Sequence, residues 1–256
     1  DPTLFNAEQR GIAVKIIGYN LVATADSKAA GYMVRTDLID SGRYKTPADI
    51  KGMNFGMPGV AGAQGDVYLD LLGQKSGFTL HDVNETYMPF TQVALALANK
   101  GIDIGYTYEP QVSVIAGQGT AKYVIGVGQI LPGQPGEIFV VSPDYAKQNP
   151  DVVLRVMTAY LRGQRDFWHA FVKKDVPPDD ILKSVAAHTP IKDPALLTKA
   201  LAGSTVDPNG EMDLTAVSKS LDEYLKFGTV KQKTDISTLI DPSFARQAVQ
   251  RLGKLS

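Results

Sequence analysis

Cysteine is absent from the 256 residues, and with it go disulfides, thiolate zinc sites, iron–sulfur ligation and any thiol nucleophile. The absence suits a bacterial extracytoplasmic protein that avoids accidental oxidation, although many cytosolic chains lack cysteine too. An excess of charge of either sign is also missing: 26 Lys and Arg stand against 27 Asp and Glu, net −1, with the basic residues scattered. Nothing therefore recommends nucleic acid or an anionic membrane as partner. No apolar run approaches the roughly 18 residues of a spanning helix, and Asp1-Pro2-Thr3 opens without the basic and apolar stretches of a signal peptide. The three histidines, His81, His169 and His188, share no ligand or triad spacing with carboxylates and read as surface or packed side chains. No G-x-S-x-G elbow and no Ser/His/acid grouping is present either.

What is there is a core. With 44% hydrophobic residues the chain can fill one large or two smaller domains. The pattern predicts a helix from Asp1 to Arg10, a β-rich stretch over Ile12–Val22 and a short strand at Gly31–Thr36. From about residue 50 to 130 strands and helices alternate: strand before Pro58, helix over Asp66–Gln74, strand over Val83–Met88, helix over Thr91–Asn99, strand over Ile102–Tyr106, helix to about Gly117, strand over Lys122–Gly128. That spacing argues a parallel or mixed sheet covered on both faces. After the connector Gly126–Gly136 and a strand at Ile138–Val141, the rest is helical: Pro150–Lys173, then roughly 179–187, 194–202, 213–227 and 242–252. Trp168 with Phe167 and Phe171 reads as core on the long helix, and Asp179-Asp180 as a helix N-terminus.

The most informative stretch is G-M-N-F-G-M-P-G-V-A-G-A-Q-G-D-V-Y-L-D-L-L-G, Gly52–Gly73. Strand, glycine loop and helix in this order aim free backbone N–H groups at something polar or anionic. It is not a P-loop, because Gly65 is followed by Asp66 and Val67 where Lys and a hydroxyl are required. It is not a dinucleotide fingerprint, because the spacing of Gly59, Gly62 and Gly65 is G-x-x-G-x-x-G. A surface loop that needs glycine only for its turns is the remaining alternative.

Three segments in order carry a family resemblance: T-P-A-D-I-K-G-M-N-F-G-M-P-G (Thr46–Gly59), A-L-A-N-K-G-I-D-I-G-Y-T-Y-E-P (Ala96–Pro110) and F-V-V-S-P-D-Y-A-K-Q-N-P-D-V-V-L-R-V-M-T-A-Y (Phe139–Tyr160). Together they resemble the solute-binding proteins of ABC importers for sulfonates, taurine, nitrate and thiamin pyrimidine precursors, the NMT1/THI5-like and SsuA/TauA-like group. The resemblance implies an α/β, two-lobed, periplasmic-binding-protein-like (type II) fold. Its hinge would be two crossing strands near Gly31–Thr36 and Gly136–Val141, with the ligand between lobes. Lobe one would be 1–36 plus 132–256 and lobe two 37–131. Members of the group usually begin with a strand, a helix and another strand ahead of a helix like Asp1–Arg10. A sheet lacking those strands would leave open edges, so truncation is the expectation.

The same resemblance implies a ligand site. Gly59, Val60, Ala61, Gly62, Ala63 and Gln64 match the group's headgroup cradle at a helix N-terminus. Relatives often carry Ser or Thr there, and the Ala, Ala and Gln of this chain weaken a sulfonate or nitrate assignment. Gln64 either donates its amide or is solvated. In pyrimidine-binding relatives a Trp-Asn-x-Glu segment stands where this chain has Tyr106-Thr107-Tyr108-Glu109-Pro110. Glu109 either meets a ligand amino group or caps the following helix; Tyr106 and Tyr108 either stack on a ring or pack. Tyr32 is a further lining candidate.

The implied function is a non-enzymatic, monomeric, extracytoplasmic (periplasmic) receptor without cofactor, metal or catalytic residue. It would deliver a small molecule, aromatic or heterocyclic rather than sulfonate or nitrate, to an ABC permease. The alternatives are a THI5-like pyrimidine-synthesis enzyme, whose cysteine-rich iron motif this chain lacks, and a sensor lobe of the same fold.

Overall fold

Side chains that alternate between two covered faces along one strand show how the main sheet is built. In the computed structural model, which describes residues 2–19, 22–136, 138–189, 191–201 and 205–255, Met33 packs with helical residues on one face of the sheet while Tyr32 meets aromatics on the other. In chain order the first elements are α1 (Pro2–Gln9), β1 (Lys15–Tyr19), β2 (Val22–Ala23), β3 (Ala30–Arg35), α2 (Thr36–Asp40), β4 (Asn54–Pro58), α3 (Gln64–Ser76), β5 (Asn84–Met88), α4 (Phe90–Ala98), β6 (Ile104–Tyr108), α5 (Gln111–Gln118), β7 (Ala121–Gly126) and α6 (Val127–Ile130). Then come β8 (Gln134–Pro135), β9 (Ile138–Val141), α7 (Pro143–Gln148), α8 (Pro150–Phe167), α9 (Asp179–His188), α10 (Pro194–Leu201), α11 (Leu214–Phe227), α12 (Ile236–Leu239) and α13 (Ser243–Leu252). Contacts divide the chain into unit 1 (1–23, 133–188 and 204–256) and unit 2 (24–132 and 189–203).

Unit 2 is a five-stranded mixed sheet in the order β5-β4-β6-β3-β7. Strand β4 runs parallel to β5 and β6, whereas β3 is antiparallel to β6 and β7. One face is closed by α4 and α5, through Val93, Leu97, Val112 and Ile115 against Met33, Ile102 and Ala121. Each such side chain contributes roughly 1.5–3 kcal/mol by leaving water. The opposite face carries Tyr32, Phe55, Met57 and Tyr106 under α3. The segment expected as the first crossing, Gly31–Thr36, thus lies as β3 in the middle of this sheet. Residues 189–203, expected in lobe one, group with unit 2, where α10 packs on α5.

In unit 1, β1 pairs antiparallel with β9 from Lys15↔Val141 to Tyr19↔Ile138, and β2 pairs with β8. The core gathers Ile17, Val153, Leu154, Met157 and Leu161 against Phe244, Ala245 and Ala248. Positions 153, 154, 157 and 161 form one stripe of α8, and 244, 245 and 248 the matching stripe of α13. The long helix predicted to Lys173 changes at Trp168 into a π-helical turn, which ends at Lys174 with φ 58°. Trp168, Phe167 and Phe171 are not core: all three are half-buried, because this turn sits on the surface. There the Lys173 ammonium stands 5.3 Å over the indole and Phe167 stacks on Phe171 at 5.0 Å.

Candidate ligand site

The glycine loop leaves the carboxyl end of β4 and enters α3 at Gln64, with Ala63 as N-cap. Its chirality is set by Gly59 (φ +97°) and Gly62 (φ +79°), angles that a side chain resists. Gly65 serves a different need: a Cβ there would stand 3.0 Å from Met57 Cε and 3.2 Å from the Tyr106 ring. Glycine lets the first turn of α3 lie directly on the sheet. Gly59 N–H donates to Met88 O at 3.2 Å, and Ala63 N–H to Val60 O at 3.1 Å. The first N–H groups of the helix, on Gln64 and Gly65, find no acceptor among the described residues, as expected of a first turn.

The predicted residues separate into a surface and a support. Gly59, Val60 and Ala61 are exposed, Val60 at 71%, while Gly62, Ala63 and Gln64 are half-buried. Gln64 spends its amide on α3 itself, donating from Nε2 to the Tyr68 hydroxyl one turn on. Tyr32 and Tyr106, expected to line the site, are 0% and 1% exposed and offer no face to a solute. They pair across β3 and β6 with ring centroids 5.2 Å apart, and the Tyr32 hydroxyl donates to Gly65 O at 3.4 Å. They are the floor that carries α3. Burial raises both phenols well above their ordinary range, which keeps them neutral. Tyr108, two residues along β6, is half-buried with its ring 5.0 Å from that of Tyr106.

Of the two readings of Glu109, the helix cap is the contact made. Ser113 donates to it twice, from N–H to Oε2 at 3.1 Å and from Oγ to Oε1 at 2.8 Å. Burial nevertheless pushes the Glu109 carboxyl up, against those two bonds.

Sequence reasoning missed the groups with the least ordinary chemistry. Asp66, third residue of α3, is 3% exposed and accepts from Gly62 N–H at 2.6 Å. The Tyr87 hydroxyl lies 3.0 Å from Asp66 Oδ2 and 2.9 Å from Glu85 Oε2. Asp66 Oδ1 and Glu85 Oε1 are buried without a hydrogen-bond partner among the described residues. Burial raises both carboxyls. The available signal was Asp66 directly after the last loop glycine; Glu85 and Tyr87 on β5 carried none. His81 is exposed, His169 meets Asp175 at 2.8 Å, and His188 Nδ1 contacts Ser184 O. Among the described residues no group of acids and histidines has the geometry of a metal site, and no helix is long and apolar enough to cross a membrane.

A cavity of about 500 Å³ opens in unit 1, with Met212, Leu214, Ile240, Ala245 and Val249 among its walls. None of the ten predicted residues lines it.

Residues 2–169 match the profile of the NMT1/THI5-like family. The chain belongs to that family. A Brucella abortus (strain 2308) protein named as a binding protein is 25% identical over 206 residues, covering 75% of this chain and 60% of the relative. The chain thus spans about 60% of the length of the curated relatives it matches. Among solved structures, the alkanesulfonate-binding protein SsuA from Xanthomonas axonopodis pv. citri, bound to MOPS, is 18% identical with a TM-score of 0.70 over 93% of this chain and 77% of that one. The periplasmic nitrate-binding protein NrtA from Synechocystis PCC 6803 is 13% identical with a TM-score of 0.74 over 97% and 70%. Identities this low establish the fold, the α/β periplasmic-binding-protein type, for this NMT1/THI5-like chain.

Proposed function

We propose that this NMT1/THI5-like protein is an extracytoplasmic solute-binding receptor: a small organic molecule is captured between two lobes and delivered to an ABC importer, without catalysis. The observation that carries this reading is the glycine loop at the carboxyl end of a parallel strand, with unengaged N–H groups at the start of α3 and an exposed Val60. Parallel strands deliver their loops to such a ligand-facing edge. Tyr108 and Glu109 leave the end of β6, and Ala61 and Ala63 stand where a hydroxyl would help an oxyanion. We infer an aromatic or heterocyclic solute with hydrogen-bond donors, bound by the loop and by Tyr108 and Glu109. Relatives of this fold serve alkanesulfonate and nitrate, which makes those anions the rival solutes.

Thermal-shift screening of the purified chain decides between them. Aminopyrimidines and aromatic carboxylates are expected to raise the melting temperature. Stabilisation by taurine-like sulfonates or nitrate alone would reverse the solute class. No response to any solute would remove the receptor reading. A Glu109→Ala protein that binds as before would take Glu109 out of the site.

A further inference from the structure

We propose that Asp66 is the built-in occupant of the anion position at the glycine loop, and that its carboxylate is what closes this loop to oxyanion headgroups. The inference rests on the loop being the solute site. An anion at a helix N-terminus is held by unengaged loop and first-turn N–H groups and by the helix dipole. Here the Gly62 N–H of the loop is already taken by Asp66 Oδ2 at 2.6 Å. The acceptor belongs to the helix that the loop opens, so no solute can compete for it without displacing a covalently tethered carboxylate.

A third-position Asp that merely caps a helix is ordinarily solvated, and two features separate Asp66 from that case. It is 3% exposed, and its Oδ1 is buried with no partner among the described residues, an arrangement that costs stability rather than adding it. A second carboxyl also stands behind it. The single proton of the Tyr87 hydroxyl faces Asp66 Oδ2 at 3.0 Å and Glu85 Oε2 at 2.9 Å, and it can be donated to only one of them. Among the described residues no ion pair reaches Asp66 or Glu85. The groups around the pair are Tyr32 from β3, Tyr87 from β5 and His81 from the turn before β5. An arriving sulfonate, phosphate or nitrate is repelled by carboxyls that have hydrogen-bond donors but no cationic partner among the described residues, whereas a neutral or cationic donor is not.

The test titrates wild type, Asp66→Asn and Asp66→Ser with methanesulfonate, nitrate and sulfate by calorimetry, alongside an aminopyrimidine and amine panel, after circular dichroism has confirmed folding. Like charges brought together are a strong element of discrimination. Removing one is therefore expected to tighten oxyanion binding at least about tenfold over wild type, a change readily resolved. Folded variants that gain nothing overturn the proposal. So does a wild type that itself binds these oxyanions tightly, and that arm stands even if neither variant folds. Tight sulfonate binding by wild type would sink the exclusion and leave the receptor reading intact. A wild type that binds no solute, with variants that bind oxyanions, would do the reverse.

Discussion

Asp66, Glu85 and Tyr106 are the side chains on which the proposed site depends, and each has a measurable consequence. Burial raises the Asp66 carboxyl from its ordinary 3.8 and Glu85 from 4.5, so above those values the folded chain holds protons that the unfolded chain has released. Their contribution to stability is full below about pH 4 and is lost as pH rises through the raised values. Asp49 and Asp82 run the opposite way. Backbone N–H bonds from Thr46 and Thr79 lower them, so their contribution is present at neutral pH and lost as pH falls through the lowered values. In urea unfolding from about pH 4 to about pH 8, wild type should therefore lose stability relative to Asp66→Asn as pH rises. A constant difference would show that Asp66 is an ordinary ionised cap. Tyr106 gives a packing prediction: Tyr106→Ala should cost about 3–5 kcal/mol. Tyr106→Phe, which gives up the hydroxyl interaction with Tyr108, should cost about 1 kcal/mol. An alanine variant as stable as the phenylalanine one would mean that the ring is not the floor beneath α3.

The element that organises the site is the β4–loop–α3 unit, and it was also the most legible part of the sequence. Gly59, Gly62 and Gly65 announced the turn, and the apolar run before Pro58 announced the strand. What did not show was the exposure of each face. Tyr32 and Tyr106 were read as lining residues, yet the even alternation of β3 and β6 turns both beneath α3. A tyrosine on a strand looks the same in sequence whether a helix or a solute covers it. The same holds for Asp66, whose neighbours Glu85 and Tyr87 arrive from β5, some twenty positions away. In the helical half the spans of α8 and α11 were readable locally, while the surface position of Trp168 depended on tertiary packing. Close approach of α3 to the sheet yields a further prediction. Gly65→Ala places a Cβ against Met57 Cε and the Tyr106 ring. Overpacking of this kind costs about 1–3 kcal/mol and outweighs a helix-propensity gain of roughly 0.5–1 kcal/mol, leaving a net loss of about 1 kcal/mol in urea unfolding. A stabilised Gly65→Ala protein would show that α3 can lift from the sheet at little cost. Arg35 Nη1 and Asp103 Oδ1, 3.1 Å apart, tie β3 beside β6, and Asp103 Oδ2 accepts from Asn54 N–H on β4. Asp103→Ala removes both of these bonds while Arg35 keeps its bidentate pair with Asp37, and should cost about 1–3 kcal/mol by the same measurement.

At the scale of the whole molecule the question is whether a solute engages one unit or both. All ten predicted ligand residues lie within 24–132, in unit 2, whereas the chain's single tryptophan, Trp168, lies in unit 1. Indole fluorescence therefore reports the unfolding of unit 1, and far-ultraviolet circular dichroism reports both. A solute at about 100 times its dissociation constant stabilises the state that binds it by about 2.7 kcal/mol. For a chain of this size that corresponds to a melting shift of roughly 5–10 °C. If capture takes place between two lobes, the fluorescence transition of Trp168 should move up together with the dichroism transition, although unit 1 supplies none of the predicted contacts. If the dichroism transition rises while the Trp168 transition stays where it was, the solute is held by unit 2 alone. The glycine loop would then be a complete site in itself, and closure of one lobe on another would have no part in capture. A Trp168→Phe protein, which should keep its dichroism shift, guards against a solute that simply quenches the indole.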